Sequence, residues 1–209
     1  MSSGLLDEAA ELASGPRRIL GIAGPPGAGK STVAAALVAA LGERAVLVGM
    51  DGFHLLDDDL VRLGRRERKG APDTFDVDGY VELLEQLRVP GSTVLAPDFD
   101  RITDAPVPDA IEVRPEVPLV VTEGNYLLLD QGPWNQVASL LDTCWYVDVE
   151  DRLRVQRLTA RHHAHGKSLE EARAWATGSD QVNAELVMTT RDRADRIVTS
   201  DEVAALLDR

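Results

Sequence analysis

The stretch Gly24-Pro25-Pro26-Gly27-Ala28-Gly29-Lys30-Ser31 constrains this chain more than any other. It fits the phosphate-binding pattern G-x-x-x-x-G-K-[ST] at every fixed position. Such a loop needs a buried strand before it and a helix after it. Arg18 to Ala23 is a short apolar run of strand type, and Thr32 to Leu41 is an alanine-rich run of helix type. Glycine lets main-chain N–H groups turn inward around an anion with no side chain in the way. The helix N-terminus adds partial positive charge at the same point. The pattern assigns Gly24, Pro25, Pro26, Gly27, Ala28, Gly29, Lys30, Ser31 and Thr32 to binding ATP. Lys30 is expected to reach the β- and γ-phosphates and Ser31 to hold Mg²⁺.

A loop of this kind implies an α/β fold: a three-layer sandwich with a central parallel sheet of about five strands, helices on both faces and a small helical lid. Spacing of apolar residues along the chain agrees with it. Short buried runs at Ala45–Met50, Pro118–Thr122 and Thr143–Val149 alternate with helical patterns at Tyr80–Leu87, Gln136–Leu141 and Asp151–Arg161. An amphipathic lead-in helix is expected over Leu5–Ala13, a strand at Thr93–Ala96, an edge strand at Ile111–Val113 and a last strand at Ala194–Val198. A turn is expected over His162–Ser168, and a helix broken near Gly178 over Leu169–Met188. With 209 residues, one domain spans residues 1–209, with the lid at about 152–170.

Charge narrows the partners. A net charge of −13 argues against nucleic acid or an anionic membrane surface, since both demand a basic face. No apolar run approaches the ~20 residues of a membrane helix. Met1 to Leu20 carries Asp7, Glu8 and Glu11, unlike a signal peptide. The single cysteine, Cys144, fits a reducing compartment and core packing. A cytoplasmic protein acting on a small molecule is the expectation.

Phosphoryl transfer to an alcohol needs held phosphates, a placed metal ion, an oriented hydroxyl and neutralised charge. Asp51 follows the second buried run, so it should lie beside the phosphate loop as the general base. Glu123 ends another strand and is a candidate for Mg²⁺, together with Ser31, or for the substrate. Arg154, Arg157 and Arg161 recur at helical spacing; Arg157 and Arg161 are the preferred pair to clamp the moving phosphoryl group. The loop Arg65 to Asp76 concentrates positive charge in an acidic chain. His162, His163 and His165 lack cysteine partners and are not taken as a metal site.

Six segments occur together in one order: the phosphate loop, Met50-Asp51-Gly52-Phe53-His54, Arg68 to Asp76, Pro97-Asp98-Phe99-Asp100-Arg101, Glu123-Gly124-Asn125-Tyr126 and Thr190 to Asp195. In these the chain resembles the uridine kinase, phosphoribulokinase and bacterial pantothenate kinase superfamily. It looks most like the branch labelled nucleoside kinase-like or fructose transport system kinase. The resemblance runs from about Arg18 to Val198. It implies a kinase using ATP and Mg²⁺ on a hydroxyl of a sugar, a nucleoside or a pantothenate-like compound, with Asp51 as base. Lys69-Gly70-Ala71-Pro72, Trp175 and Asn183 are similar to pantothenate kinase features near the acceptor. The expected substrate residues are His54, Lys69, Phe75, Asp76, Phe99, Arg101, Glu123, Tyr126 and Asn183. Arg193 joins the cofactor set, and a homodimer is implied because similar kinases are often dimers. The competing readings are a nucleotide-dependent switch and a transporter-accessory ATP-binding protein without metabolite kinase activity.

Overall fold

The structure is a computed structural model describing residues 4–208; the first three residues and the last, at the edges of the stretches read above, lie outside it. In chain order it runs α1 (Leu5–Leu12), β1 (Arg18–Ala23), α2 (Lys30–Leu41), β2 (Ala45–Leu47), α3 (Asp57–Arg62), α4 (Val77–Leu87), β3 (Val94–Asp100), β4 (Ala105–Val113), β5 (Leu119–Gly124), α5 (Val137–Leu140), β6 (Thr143–Val147), α6 (Asp151–Ala164), α7 (Leu169–Thr177), α8 (Ser179–Met188), β7 (Arg196–Val198) and α9 (Ser200–Leu207). Five strands form one parallel sheet in the order β2-β5-β1-β6-β7.

The central strands are apolar on both faces because both faces are covered. Ile19 and Val120 enter one core with Tyr80, Leu84 and Trp134. Leu20, Ile22 and Val121 enter the other with Val33 and Leu37 of α2 and Leu5 of α1. Successive strand side chains point to opposite faces, so one strand feeds both cores. Each fully buried Leu or Ile contributes roughly 1.5–3 kcal/mol relative to exposure. The register sets Ala23, Gly124 and Tyr146 side by side at the carboxyl ends of β1, β5 and β6. Ligands of open α/β sheets bind at that edge.

Four expectations change in the fold. The Ala45–Met50 run is a strand only to Leu47, and Met50–Phe53 forms a 3₁₀ turn. That turn packs on β5 so closely that a Cβ on Gly124 would stand 2.6 Å from Met50. The Ile111–Val113 edge strand reaches back to Ala105 and pairs antiparallel with β3 as a separate two-stranded sheet. The Thr143–Val149 run ends as a strand at Val147. α6 runs on through His162 and His163 to Ala164, where a turn was expected. The break at Gly178 does divide α7 from α8, and an added Cβ there would lie 2.7 Å from Ala174 O.

Candidate active site

The phosphate loop leaves β1 at Gly24 and enters α2 at Lys30. Gly27 has φ 82°, a left-handed conformation, and a Cβ there would meet Leu158 Cγ at 2.8 Å and Arg154 O at 2.9 Å. Only glycine fits both the backbone and the helix pressed against it. Pro25, Pro26 and Ala28 are buried, while Ser31 and Thr32 are exposed in the first turn of α2.

Lys30 is buried; its Nζ donates to Asn125 Oδ1 at 2.7 Å and Pro25 O at 3.2 Å. The Ser31 hydroxyl donates to Glu123 Oε1 at 2.7 Å. Burial lowers the Lys30 pKa and raises that of Glu123, which the nearby Asp51 charge pushes further up. Lys30 is held toward its charged form by Glu123 first and Asp51 second. The three groups thus share one electrostatic environment at the carboxyl ends of β1, β2 and β5. The Glu123 carboxyl beside the Ser31 hydroxyl is an oxygen donor set that a Mg²⁺ ion suits, and a bound cation would favour the ionised carboxylate. Mg²⁺ uses one or two carboxylates plus substrate phosphates rather than a full protein cage. Among the described residues no group of three or more His, Cys, Asp or Glu side chains is placed to form such a cage.

Asp51 lies in the 3₁₀ turn, half-buried, with Arg101 NH2 at 3.7 Å. His54 Nδ1 lies 3.0 Å from Asp51 O, and the His54 ring is flanked by Phe75 at 4.0 Å and Phe99 at 5.0 Å between centroids. Phe99 and Arg101 come from the β3–β4 hairpin, which brings them to the carboxyl end of β2. Lys69 Nζ, 5.7 Å from the Phe99 centroid, completes this wall.

The other expected residues take different posts. Tyr126 Oη donates to Gly70 O at 2.5 Å and Asn183 Nδ2 donates to the same oxygen at 3.3 Å. Both are buried and anchor the Arg65–Asp76 loop, with Trp134 Nε1 donating to Pro72 O at 3.0 Å. Asp76 caps α4, accepting from Gly79 N at 3.0 Å. Arg193 pairs with Asp130 at 2.6 Å, whereas Arg191 pairs with Asp148 at 2.9 Å. Arg154 is fully buried; it bonds Asp151 and Gln181 and holds the start of α6 to α8. Helical spacing groups Arg154 with Arg157 and Arg161, but its burial makes it a packing residue. Arg157 NH1 donates to Ala28 O at 3.1 Å, and the exposed Arg161 acts electrostatically on Lys30.

Two features escaped the sequence. Asn125, partner of Lys30, had no signal beyond its place after Glu123. A cleft of about 150 Å³ opens beside the phosphate loop, lined by Ala28, Val147, Asp148, Arg157 and, from α9, Ser200, Val203, Ala204 and Leu207. These residues come from four separate segments, so no short pattern marks them.

A profile of the Phosphoribulokinase / Uridine kinase family matches residues 19–205. A candidate uridine kinase of Schizosaccharomyces pombe, C227.14, is 35% identical over 196 residues, covering 88% of this chain and 83% of the relative. A pantothenate kinase of Shewanella piezotolerans is 32% identical over 153 residues, covering 66% of this chain and 48% of its own. Among solved structures, a candidate fructose transport system kinase from Silicibacter sp. TM1040 superposes with a TM-score of 0.83 at 35% identity, covering 91% of this chain and 96% of the other.

Proposed function

The chain belongs to the phosphoribulokinase / uridine kinase family, and from that premise we propose that it transfers the γ-phosphoryl group of ATP, with Mg²⁺, to a hydroxyl of a small metabolite. One observation carries the reading: Lys30, Glu123 and Asp51 share charge at the carboxyl edge of the sheet, with the packed rings of His54, Phe75 and Phe99 beside them.

In this reading the inward main-chain N–H groups of Gly24 to Ser31 and the Lys30 ammonium bind the phosphates. Ser31 and Glu123 hold Mg²⁺, which when bound neutralises charge on the phosphate oxygens. Asp51 orients the acceptor hydroxyl and takes its proton. Arg157 and Arg161 stabilise the transferring group, with the segment at about 152–170 acting as the lid that excludes water. The cleft between Ala28 and α9 takes the base of the nucleotide; Val147, Val203, Ala204 and Leu207 suit the faces of a flat heterocycle, and Asp148 and Ser200 offer polar groups to its edge. Among the described residues no helix is long and apolar enough to cross a membrane, and we place the protein in the cytoplasm.

The test is phosphorylation of a metabolite library read by mass. One or more alcohols should gain a phosphoryl group. Asp51→Asn should retain ATP binding and lose roughly 10²–10⁴-fold in transfer. ATP turnover that no metabolite stimulates would favour a switch or a transporter accessory instead. Equal transfer by Asp51→Asn and parent would remove Asp51 as the base.

A further inference from the structure

Resting on that kinase reading, we propose that the acceptor pocket selects an uncharged compound, one offering hydroxyls and an apolar face, and that Asp104 enforces the choice by occupying Lys69. The loop from Arg65 to Asp76 carries four cations, Arg65, Arg66, Arg68 and Lys69. In sequence it concentrates positive charge in an acidic chain; in the fold each cation meets a carboxylate. Arg66 bonds Asp57 at 2.7 Å, and Arg65 and Arg68 converge on Asp73.

Lys69 is the member of this group that lies over the Phe99 ring, and its side chain is only 10% exposed. Its Nζ lies 2.8 Å from Asp57 Oδ1, 2.7 Å from Asp104 Oδ2 and 2.8 Å from Asp104 O. An ammonium has three protons to donate, and these three contacts use them all. None is left for a phosphate or carboxylate on the acceptor, and the two aspartates outweigh the lysine. Asp104, at the tip between β3 and β4, adopts φ 54°, which lets both its carbonyl and its side chain reach Lys69.

The remaining polar groups point the same way. Arg101 is turned to Asp51. Burial lowers the His54 pKa and so favours the neutral imidazole. A carbonyl can only accept, so the Nδ1 facing Asp51 O carries the proton. Nε2 is then an acceptor, suited to a hydroxyl or N–H and repelled by a carboxylate oxygen. Phe75 and Phe99 supply the apolar face on either side of that ring.

The test is calorimetric titration of the full chain, with Mg²⁺ and a non-hydrolysable ATP analogue, using matched pairs. These are pantothenol against pantothenate, uridine against uridine 5′-monophosphate, and fructose against fructose 6-phosphate. In the pair that fits the pocket, the uncharged member should bind at least about tenfold more tightly. Asp104→Asn should raise the relative affinity of the anionic member roughly five- to tenfold, the effect of one screened charge at contact distance. Asp104→Glu should restore the parental ratio, and Asp57→Asn gives a second variant acting on the same ammonium. Tighter binding of an anionic member by the parent would overturn the proposal. So would a ratio unmoved in both Asp104→Asn and Asp57→Asn, or the failure of every uncharged member to bind. The expected binding pattern without any phosphorylated product would sink the kinase reading alone and leave the charge preference supported.

Discussion

Gly70 offers a double-mutant cycle with a defined sign. Its half-buried carbonyl accepts from Tyr126 Oη at 2.5 Å and from Asn183 Nδ2 at 3.3 Å. A carbonyl has two lone pairs, and both are used. Tyr126→Phe keeps the ring in place and removes one donor, while Asn183 still satisfies the oxygen; the cost should be about 1 kcal/mol. Asn183→Ala removes the longer bond and some packing, for about 1–2 kcal/mol. Only the double variant leaves the oxygen with neither donor. The desolvation penalty then appears in full, and the pair should cost about 1 kcal/mol more than the sum of the singles. Urea unfolding followed by circular dichroism measures all four proteins. Because Gly70 adjoins Lys69, the same variants should raise KM for the acceptor more than they lower kcat. Additivity within about 0.5 kcal/mol would refute the shared-oxygen account, since independent contacts add to that precision.

Two further outcomes follow from the geometry. Ala204→Trp fills the cleft beside Ala28 and Arg157; KM for ATP should rise about tenfold or more, roughly 1.4 kcal/mol, with KM for the acceptor unchanged. Steady-state kinetics with each substrate varied decides it, and an unaltered ATP dependence would move the base elsewhere. His54 has a folded-state pKa below its ordinary 6.5 because burial disfavours the imidazolium. The unfolded chain therefore binds the extra proton first; the stabilising contribution is complete above pH 6.5 and is lost as pH falls through the window below it. His54→Gln should flatten that acid limb in denaturation midpoints measured from pH 7.5 to 5, and parallel curves would contradict the assignment.

What the sequence could disclose depended on how local each interaction is. The phosphate loop was legible because its chemistry is contained in eight consecutive residues with their own strand and helix. Asp51 and Glu123 were legible as strand-end carboxylates, since parallel strands deliver such residues to one edge. Neutralisation of the basic loop was not legible, because Asp57 and Asp104 lie 12 and 35 positions from Lys69. Tyr126 and Asn183 are expected at the substrate, and both donate to one main-chain oxygen whose position no pattern encodes. Arg154 falls at the same helical spacing as Arg157 and Arg161, yet α8 covers it with Gln181. Burial of one arginine among three depends on which helix lies across it, and periodicity along α6 carries no such information.

The β3–β4 hairpin leaves and rejoins the rest of the chain through one cross-strand pair, Val94 opposite Val113. Its two attachment points are therefore fixed to each other whatever its tip contains. A relative could lengthen, shorten or rewrite the tip at residues 101–104 and leave the five-stranded scaffold in place, whereas Pro97 is pressed against Gly52 of the Asp51 turn. Phe99, Arg101 and Asp104 all ride on that arm, and Arg101 acts on Asp51, Lys30 and Glu123, so a change at the hairpin tip would be felt at the phosphate loop as well as at the recognition side.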